Sequence, residues 1–140
     1  MAMDVSRVNV WAAELQDKPG SLACKLDSLA EAGANLEFVI ARRCDKKRGT
    51  GVVFVTPLKG AKQLRVAKKI GFAKTDTLHS VRVEGPDKPG VGSKMTAAVA
   101  EAGINLRGLS AAAMKKRFIV HLAFDSSGDA TKAVRLIKGM

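Results

Sequence analysis

Asp17-Lys18-Pro19-Gly20 recurs as Asp87-Lys88-Pro89-Gly90, seventy residues further on. A second shared segment follows each copy at a fixed distance: Glu31-Ala32-Gly33 and Glu101-Ala102-Gly103. An Asn-Leu pair comes one residue later in both, Asn35-Leu36 and Asn105-Leu106. A single D-K-P-G means little, but two copies of a two-part pattern at one spacing mark a duplication. The 140-residue chain is therefore one small unit of about seventy residues written twice. A lone core is marginal at that size, so the units are expected to pack together or on a partner.

Composition narrows the function classes. Hydrophobic residues make up 46% of the chain, enough for a core, but there are only five Phe, one Trp and no Tyr. The core must be built from Val, Leu, Ile and Ala. Twenty-four Lys and Arg against thirteen Asp and Glu leave a formal charge of +11. Such a surplus favours an anionic partner: nucleic acid, an acidic protein, or a carboxylate or phosphate ligand. No apolar run approaches the ~18 residues of a membrane span, so no membrane association is expected. The start of the chain lacks the basic and apolar regions of a signal peptide. Cys24 and Cys44 occupy different places in the unit and suggest no bridge. A reducing, cytoplasmic setting follows from that.

Each unit reads as strand, helix, strand, strand, helix. Val8 and Val10 alternate within a strand drawn from Arg7 to Leu15, and Ser80 to Glu84 alternates cleanly in the second copy. Pro-Gly then turns the chain. Leu22, Leu26 and Leu29 predict an amphipathic helix over Ser21 to Ala32; Val91, Met95, Ala98, Val99 and Ala102 predict its counterpart. Gly33 and Gly103 stop the two helices. Second strands are expected over Leu36 to Ala41 and Leu106 to Met114, and third strands at Gly51 to Val55 and Phe118 to Leu122. Lys46-Lys47-Arg48 and Lys115-Lys116-Arg117 fall at the hairpin tips between them. Second helices run over Ala61 to Ile70 and Ala130 to Lys138, and the first unit adds a short strand around Phe72 to Leu78. The fold class is α+β: two split βαβ units, each an antiparallel sheet with helices on one face. Boundaries fall at residues 5–77 and 78–140, with no fourth strand visible for the second unit.

Nothing in the chain spells out catalysis. His79 and His121 are not repeated and join no cluster with metal-ligand spacing, so no metal or cofactor is expected. His121 and Cys24 read as structural residues in apolar surroundings. Glu14 and Glu84 share an outward strand position that suits cross-strand ion pairs better than acid–base work.

The D-K-P-G loops offer more. Each ends a strand and opens a helix whose first N–H groups lack partners, a setting that attracts a carboxylate. Gly20 and Gly90 keep no side chain between ligand and backbone. The dipole contributes ~0.3–1 kcal/mol and each charge-assisted hydrogen bond ~1.5–3. Two or three contacts then reach about −4 to −5.5 kcal/mol, or millimolar to tenth-millimolar binding. The same residues also make an ordinary strand-to-helix turn in which Asp17 and Asp87 cap nearby N–H groups. Asn35 and Asn105 sit at the far end of the helix, out of reach of their own loop. They could meet the loop of a neighbouring unit, or simply bond their own backbone.

Strand, D-x-P-G, a helix closing with E-A-G-x-N-L and a hairpin together resemble the ACT domain, twice over and across nearly the whole chain. The resemblance implies ferredoxin-like βαββαβ modules that bind amino acids at an interface between two such domains and regulate enzymes or transcription. It implies one loop of Asp17, Lys18, Pro19, Gly20, Ser21 and Leu22 with Asn35. The other would be Asp87, Lys88, Pro89, Gly90, Val91 and Gly92 with Asn105. It also implies a non-enzymatic, stand-alone regulatory protein, a homodimer with an amino acid or similar small carboxylate as ligand. Gly92 departs from the pattern: where the first copy has Leu22 on the inward helix face, glycine would thin the core.

Both second helices carry Lys-x-x-Arg-x-x-Lys: Lys62, Arg65, Lys68 and Lys132, Arg135, Lys138. A solvated helix face, an acidic enzyme partner and nucleic acid all fit this charge. Split βαβ folds include RNA-binding modules, which display aromatic residues on the sheet. Phe38, Phe54, Phe118 and Phe124 lie on the relevant strands, but without an ordered aromatic-basic signature.

Overall fold

The computed structural model describes residues 3–140. It contains two four-stranded antiparallel sheets, each with two helices. The first unit, Asn9–Thr75, holds β2 (Trp11–Gln16), α1 (Ser21–Glu31), β3 (Phe38–Arg43), β4 (Thr50–Thr56), α2 (Gly60–Lys69) and β5 (Ala73–Lys74). Its sheet order is β3-β4-β2-β5. The second unit joins Asp76–Met140 to the segment ending at Val8. It holds β1 (Asp4–Val8), β6 (His79–Pro86), α3 (Val91–Glu101), β7 (Leu106–Met114), β8 (Arg117–Phe124) and α4 (Ser127–Lys138), in the order β1-β6-β8-β7.

The fourth strand of the second unit thus comes from the opposite end of the sequence. β1 pairs antiparallel with β6 over Asp4↔Glu84 to Val8↔Ser80. The single strand expected over Arg7 to Leu15 is two strands in different sheets, and residues 5–8 belong with the second unit. The break at Asn9 and Val10 is held locally. Thr56 Oγ1 donates to the Asn9 carbonyl at 2.7 Å, and the Thr75 N–H donates to the Val10 carbonyl at 3.0 Å. Both acceptors are therefore satisfied where the chain leaves one ladder for the other. Beyond the break, Arg7 Nη1 donates to Thr131 Oγ1 at 3.0 Å and fastens β1 to α4.

Each core lies between one sheet face and its helices. In the second unit Val81, Val83, Val120, Leu122 and Phe124 meet Met95, Val99 and Ile137, with Val5 joining from β1. In the first, Ala13, Leu15, Val53 and Val55 meet Leu29, Ala67 and Phe72. Fully burying a side chain of the Val, Leu or Phe kind contributes about 1.5–3 kcal/mol. Gly33 and Gly103 take φ 87° and 75° after their helices, the left-handed stop that glycine adopts without strain.

Two expectations about α1 and α3 change. Cys24 is exposed on α1 and is not a core residue. Gly92 does not thin the core: it is exposed, and a Cβ built there would meet nothing within 4 Å. The inward position at the start of α3 is filled by Val91, which is buried.

Glu84, on the helix-free face of β6, accepts from Arg82 Nη2 at 3.0 Å and from Arg117 Nε at 3.3 Å. Glu14 occupies the matching place in β2 and pairs with Lys47 Nζ at 3.2 Å. The Arg82 hydrogen bond, then that from Arg117, holds the Glu84 carboxyl below the ordinary carboxylate range. Its stabilising effect is present above the unfolded-state pKa of about 4.3 and is lost as pH falls through the lower folded value. Glu84→Gln should therefore lower the melting temperature at pH 7, with the gap to the parent protein closing below about pH 4. A gap independent of pH contradicts the ion-pair assignment. For the exchanged strand, Val5→Ala should cost ~1–3 kcal/mol. Hydrogen exchange should then quicken in β6 and β8; quickening in β2 and β4 instead would place β1 in the other sheet.

Candidate functional site

The two D-K-P-G segments fold alike. Lys18 to Ser21 and Lys88 to Val91 are turns with Pro at the second position and Gly at the third. Gly20 has φ 87°, ψ −13°, and Gly90 has φ 85°, ψ 0°. These angles match the third position of a type II turn, about +80°, 0°, which only glycine enters freely. The closing bonds run from the Ser21 N–H to the Lys18 carbonyl at 3.4 Å and from Val91 to Lys88 at 3.3 Å. Helical bonding starts at once, with Cys24 and Lys94 donating to the Gly20 and Gly90 carbonyls, both at 2.9 Å.

Neither helix start has a side-chain cap or an acidic residue in its first turn. Among the described residues no helix-start N–H donates to the side chain of Asp17 or Asp87, so the plain-turn reading loses its helix-capping role for them. Each Asp instead docks the loop on the hairpin tip of its own unit through its backbone. The Asp17 N–H donates to the Gly49 carbonyl at 2.9 Å, and the Asp87 N–H donates to Lys116 at 2.7 Å. The basic hairpin tips thereby lie beside the loops, a proximity that linear spacing did not reveal.

From this shared frame the two sites diverge. In the first unit, Arg43 Nε meets Asp17 Oδ2 at 2.7 Å. A cavity of about 230 Å³ opens there, lined by Leu15, Asp17, Lys18, Leu22, Ala41, Arg42, Arg43 and Gly51. The ladder explains the space. Gly51 stands between Leu15 on β2 and Arg43 on β3. In the second unit Phe118 stands between Gly85 and Ala113. The large and small residues have changed places. Phe118 is 6% exposed, and a Cβ on Gly85 would lie 3.1 Å from its ring. Where the first unit has Arg42 and Arg43, the second has Ala112 and Ala113. The cavity that includes these alanines, about 430 Å³, is lined by no D-K-P-G residue and holds the Arg82–Glu84–Arg117 cluster instead.

Lys18, Ser21 and Leu22 gather at the first loop, and Lys88, Val91 and Gly92 at the second. Pro19 and Pro89 sit within the turns. Asn35 and Asn105 are not brought to their own loops. Each follows the far end of an eleven-residue helix, about 16 Å away by its rise. Both are exposed. Neither side chain makes a hydrogen bond among the described residues, so the local backbone bond weighed for them is not seen.

The other candidates settle into structure. His121 is buried in β8. Among the described residues no group of three or more His, Cys, Asp or Glu could hold a metal ion, and no helix is long and apolar enough to cross a membrane. Lys62, Arg65, Lys68, Lys132, Arg135 and Lys138 are exposed on α2 and α4. Phe118 and Phe124 lie in the core, so two of the four aromatic residues considered for base stacking cannot meet a base. Arg42, Arg43 and Gly51 had no place in the motif; the signal that could have found them was the loss of both arginines in the second copy.

No family model matches the chain, and no curated protein matches it in sequence. Solved structures do match its fold. A protein from Bacteroides thetaiotaomicron superposes with a TM-score of 0.77 at 17% identity, over 94% of this chain and 88% of that one. The ligand-free regulatory subunit of aspartate kinase from Thermus thermophilus gives 0.63 at 21% identity, over 97% and 93%. Aspartate kinase from Clostridium acetobutylicum gives 0.63 at 17% identity, and there this chain covers 99% of itself but 33% of the longer enzyme. The likeness at these identities is one of fold: the chain has the paired ferredoxin-like βαββαβ fold of ACT type that the aspartate kinase regulatory subunit also has.

Proposed function

We propose that this chain is a non-enzymatic regulatory module that binds an amino acid or a similar small carboxylate and modulates an enzyme or transcription. The cavity beneath the first D-K-P-G loop carries the reading. The uncapped start of α1 lies beside a cavity lined by Leu15, Leu22 and Ala41 together with Asp17, Lys18 and Arg43. Such a site suits a ligand with a short aliphatic body and an anionic end. Its volume, about 230 Å³, is below the ~300–1,000 Å³ of drug-sized sites and fits a small metabolite. The Thermus thermophilus neighbour is a regulatory subunit, which supports a regulatory use of the same fold.

The active form in this proposal is a homodimer in the cytoplasm, where the thiols of Cys24 and Cys44 persist unpaired. Asn35 and Asn105 complete the sites by meeting a D-K-P-G loop of a facing unit. Their exposure and unused side-chain donors support that role. The exposed bases of α2 and α4 are then a contact surface for an acidic regulated protein. Nucleic acid is the weaker partner because half of the aromatic residues needed for stacking are buried.

A thermal-shift panel of the twenty amino acids tests the reading. One or a few at 10 mM, roughly ten times a ~1 mM dissociation constant, should raise the melting temperature. No response from any of them rejects amino-acid binding. Asn35→Ala should abolish or weaken the response without changing the melting temperature of the free protein; an unaltered response rejects the facing-unit placement.

A further inference from the structure

We propose that the first unit regulates the second through the chain itself: while Asn9–Thr75 is folded a short tether holds β1 on β6, and when it unfolds that tether becomes long. No ligand is needed for this, so it stands apart from the binding site proposed above. β1 and β6 belong to one sheet, yet the whole first unit lies between them in sequence.

The ends of the inserted segment are fastened to each other inside the first unit. Trp11 pairs with Lys74 across β2 and β5, and the Thr75 N–H donates to the Val10 carbonyl at 3.0 Å. Paired residues of an antiparallel ladder stand about 5 Å apart. On the second unit's side the last ladder pair is Val8 with Ser80. The folded first unit therefore leaves a tether of about seven residues, Asn9 and Val10 on one side and 75–79 on the other. Unfolded, it leaves about seventy.

The probability of closing a loop falls roughly as the three-halves power of its length, so the pairing of β1 with β6 changes about thirtyfold. Linkage makes the effect reciprocal: β1 seated on β6 favours the folded first unit by the same factor. What the tether controls is the outer edge of β6, whose N–H and C=O groups lose their partners when β1 leaves. Anything that holds the first unit folded keeps that edge covered.

The duplication shows how the tether can be isolated. In the first unit β5 follows α2 directly and pairs with β2. In the second, β1 takes the same place beside β6 and is fastened to α4 through Arg7 and Thr131. A circularly permuted chain, opened between Val8 and Asn9 and joined from Met140 to the start of the sequence by a short glycine-serine linker, lets β1 follow α4 directly. Every ladder is kept and only the long crossing is removed.

Urea titration of both chain orders, followed by the amide NMR signals of Val83 and Leu122, tests the proposal. Leu29→Asp together with Val53→Asp places two charges at fully buried positions of the first core and should unfold that unit. The folding constant of the second unit should then fall about thirtyfold further in the natural order than in the permuted one. Equal falls in the two orders place the coupling outside the tether and overturn the proposal, as does no fall in either. A twenty-residue glycine-serine insertion between Val8 and Asn9 gives a second measure, with both units folded and the natural order kept. It should speed hydrogen exchange in β1 and β6 about sevenfold and leave β3 and β4 unchanged. Unchanged exchange in β6 overturns the proposal even if the permuted chain does not fold.

Discussion

Pairing between β1 and β6 is the interaction on which the second unit depends. Without it β6 would be an edge strand, with its outer row of N–H and C=O groups unpaired beside a core containing fully buried Val81 and Val83. The partner comes from the start of the described chain, so closing this sheet requires β1 to meet β6 across the whole of the intervening Asn9–Thr75. Loop closure of that length costs little more than closure of a shorter one, since the penalty grows only logarithmically. Val5 and the Arg7–Thr131 bond offset it locally. The first unit is contiguous by contrast, and its fourth strand shrinks to Ala73 and Lys74.

Most of this architecture could be read from residues. Leu22, Leu26 and Leu29 mark one helix face, Gly33 and Gly103 stop their helices, and the β7 range agrees with its sequence reading from Leu106 to Met114. The exchange of β1 could not be read so easily, because strand propensity is continuous from Val5 to Leu15. A strand that changes sheets keeps its alternation on each side of the change. The trace it leaves is a slip in phase: Val5, Ala13 and Leu15 are buried at odd positions, but Val10 is buried between them. Cys24 misled for a related reason. Leu22, Ala23 and Leu26 stand close to it in sequence, yet its position is exposed, and small residues tolerate either side of a helix.

The loops show the reverse situation. Their backbone was legible from Pro and Gly alone, because a type II turn demands positive φ at its third residue. Their difference was not, since it lies in cross-strand neighbours that only register brings together. Leu15 with Gly51 and Gly85 with Phe118 are equivalent pairs in which bulk has moved from one strand to the other. One arrangement closes the space under the loop; the other leaves it open beside Arg43. A duplicated chain thereby keeps one frame and varies what the frame presents.

Amide NMR during a ligand titration tests the unequal use of the two loops most directly, because glycine signals mark both sites. On addition of an amino acid that raises the melting temperature, Gly20, Ser21 and Gly51 should shift in a saturable way while Gly90, Val91 and Phe118 stay fixed. Parallel saturable shifts at Gly20 and Gly90, or shifts confined to the second loop, would contradict the account.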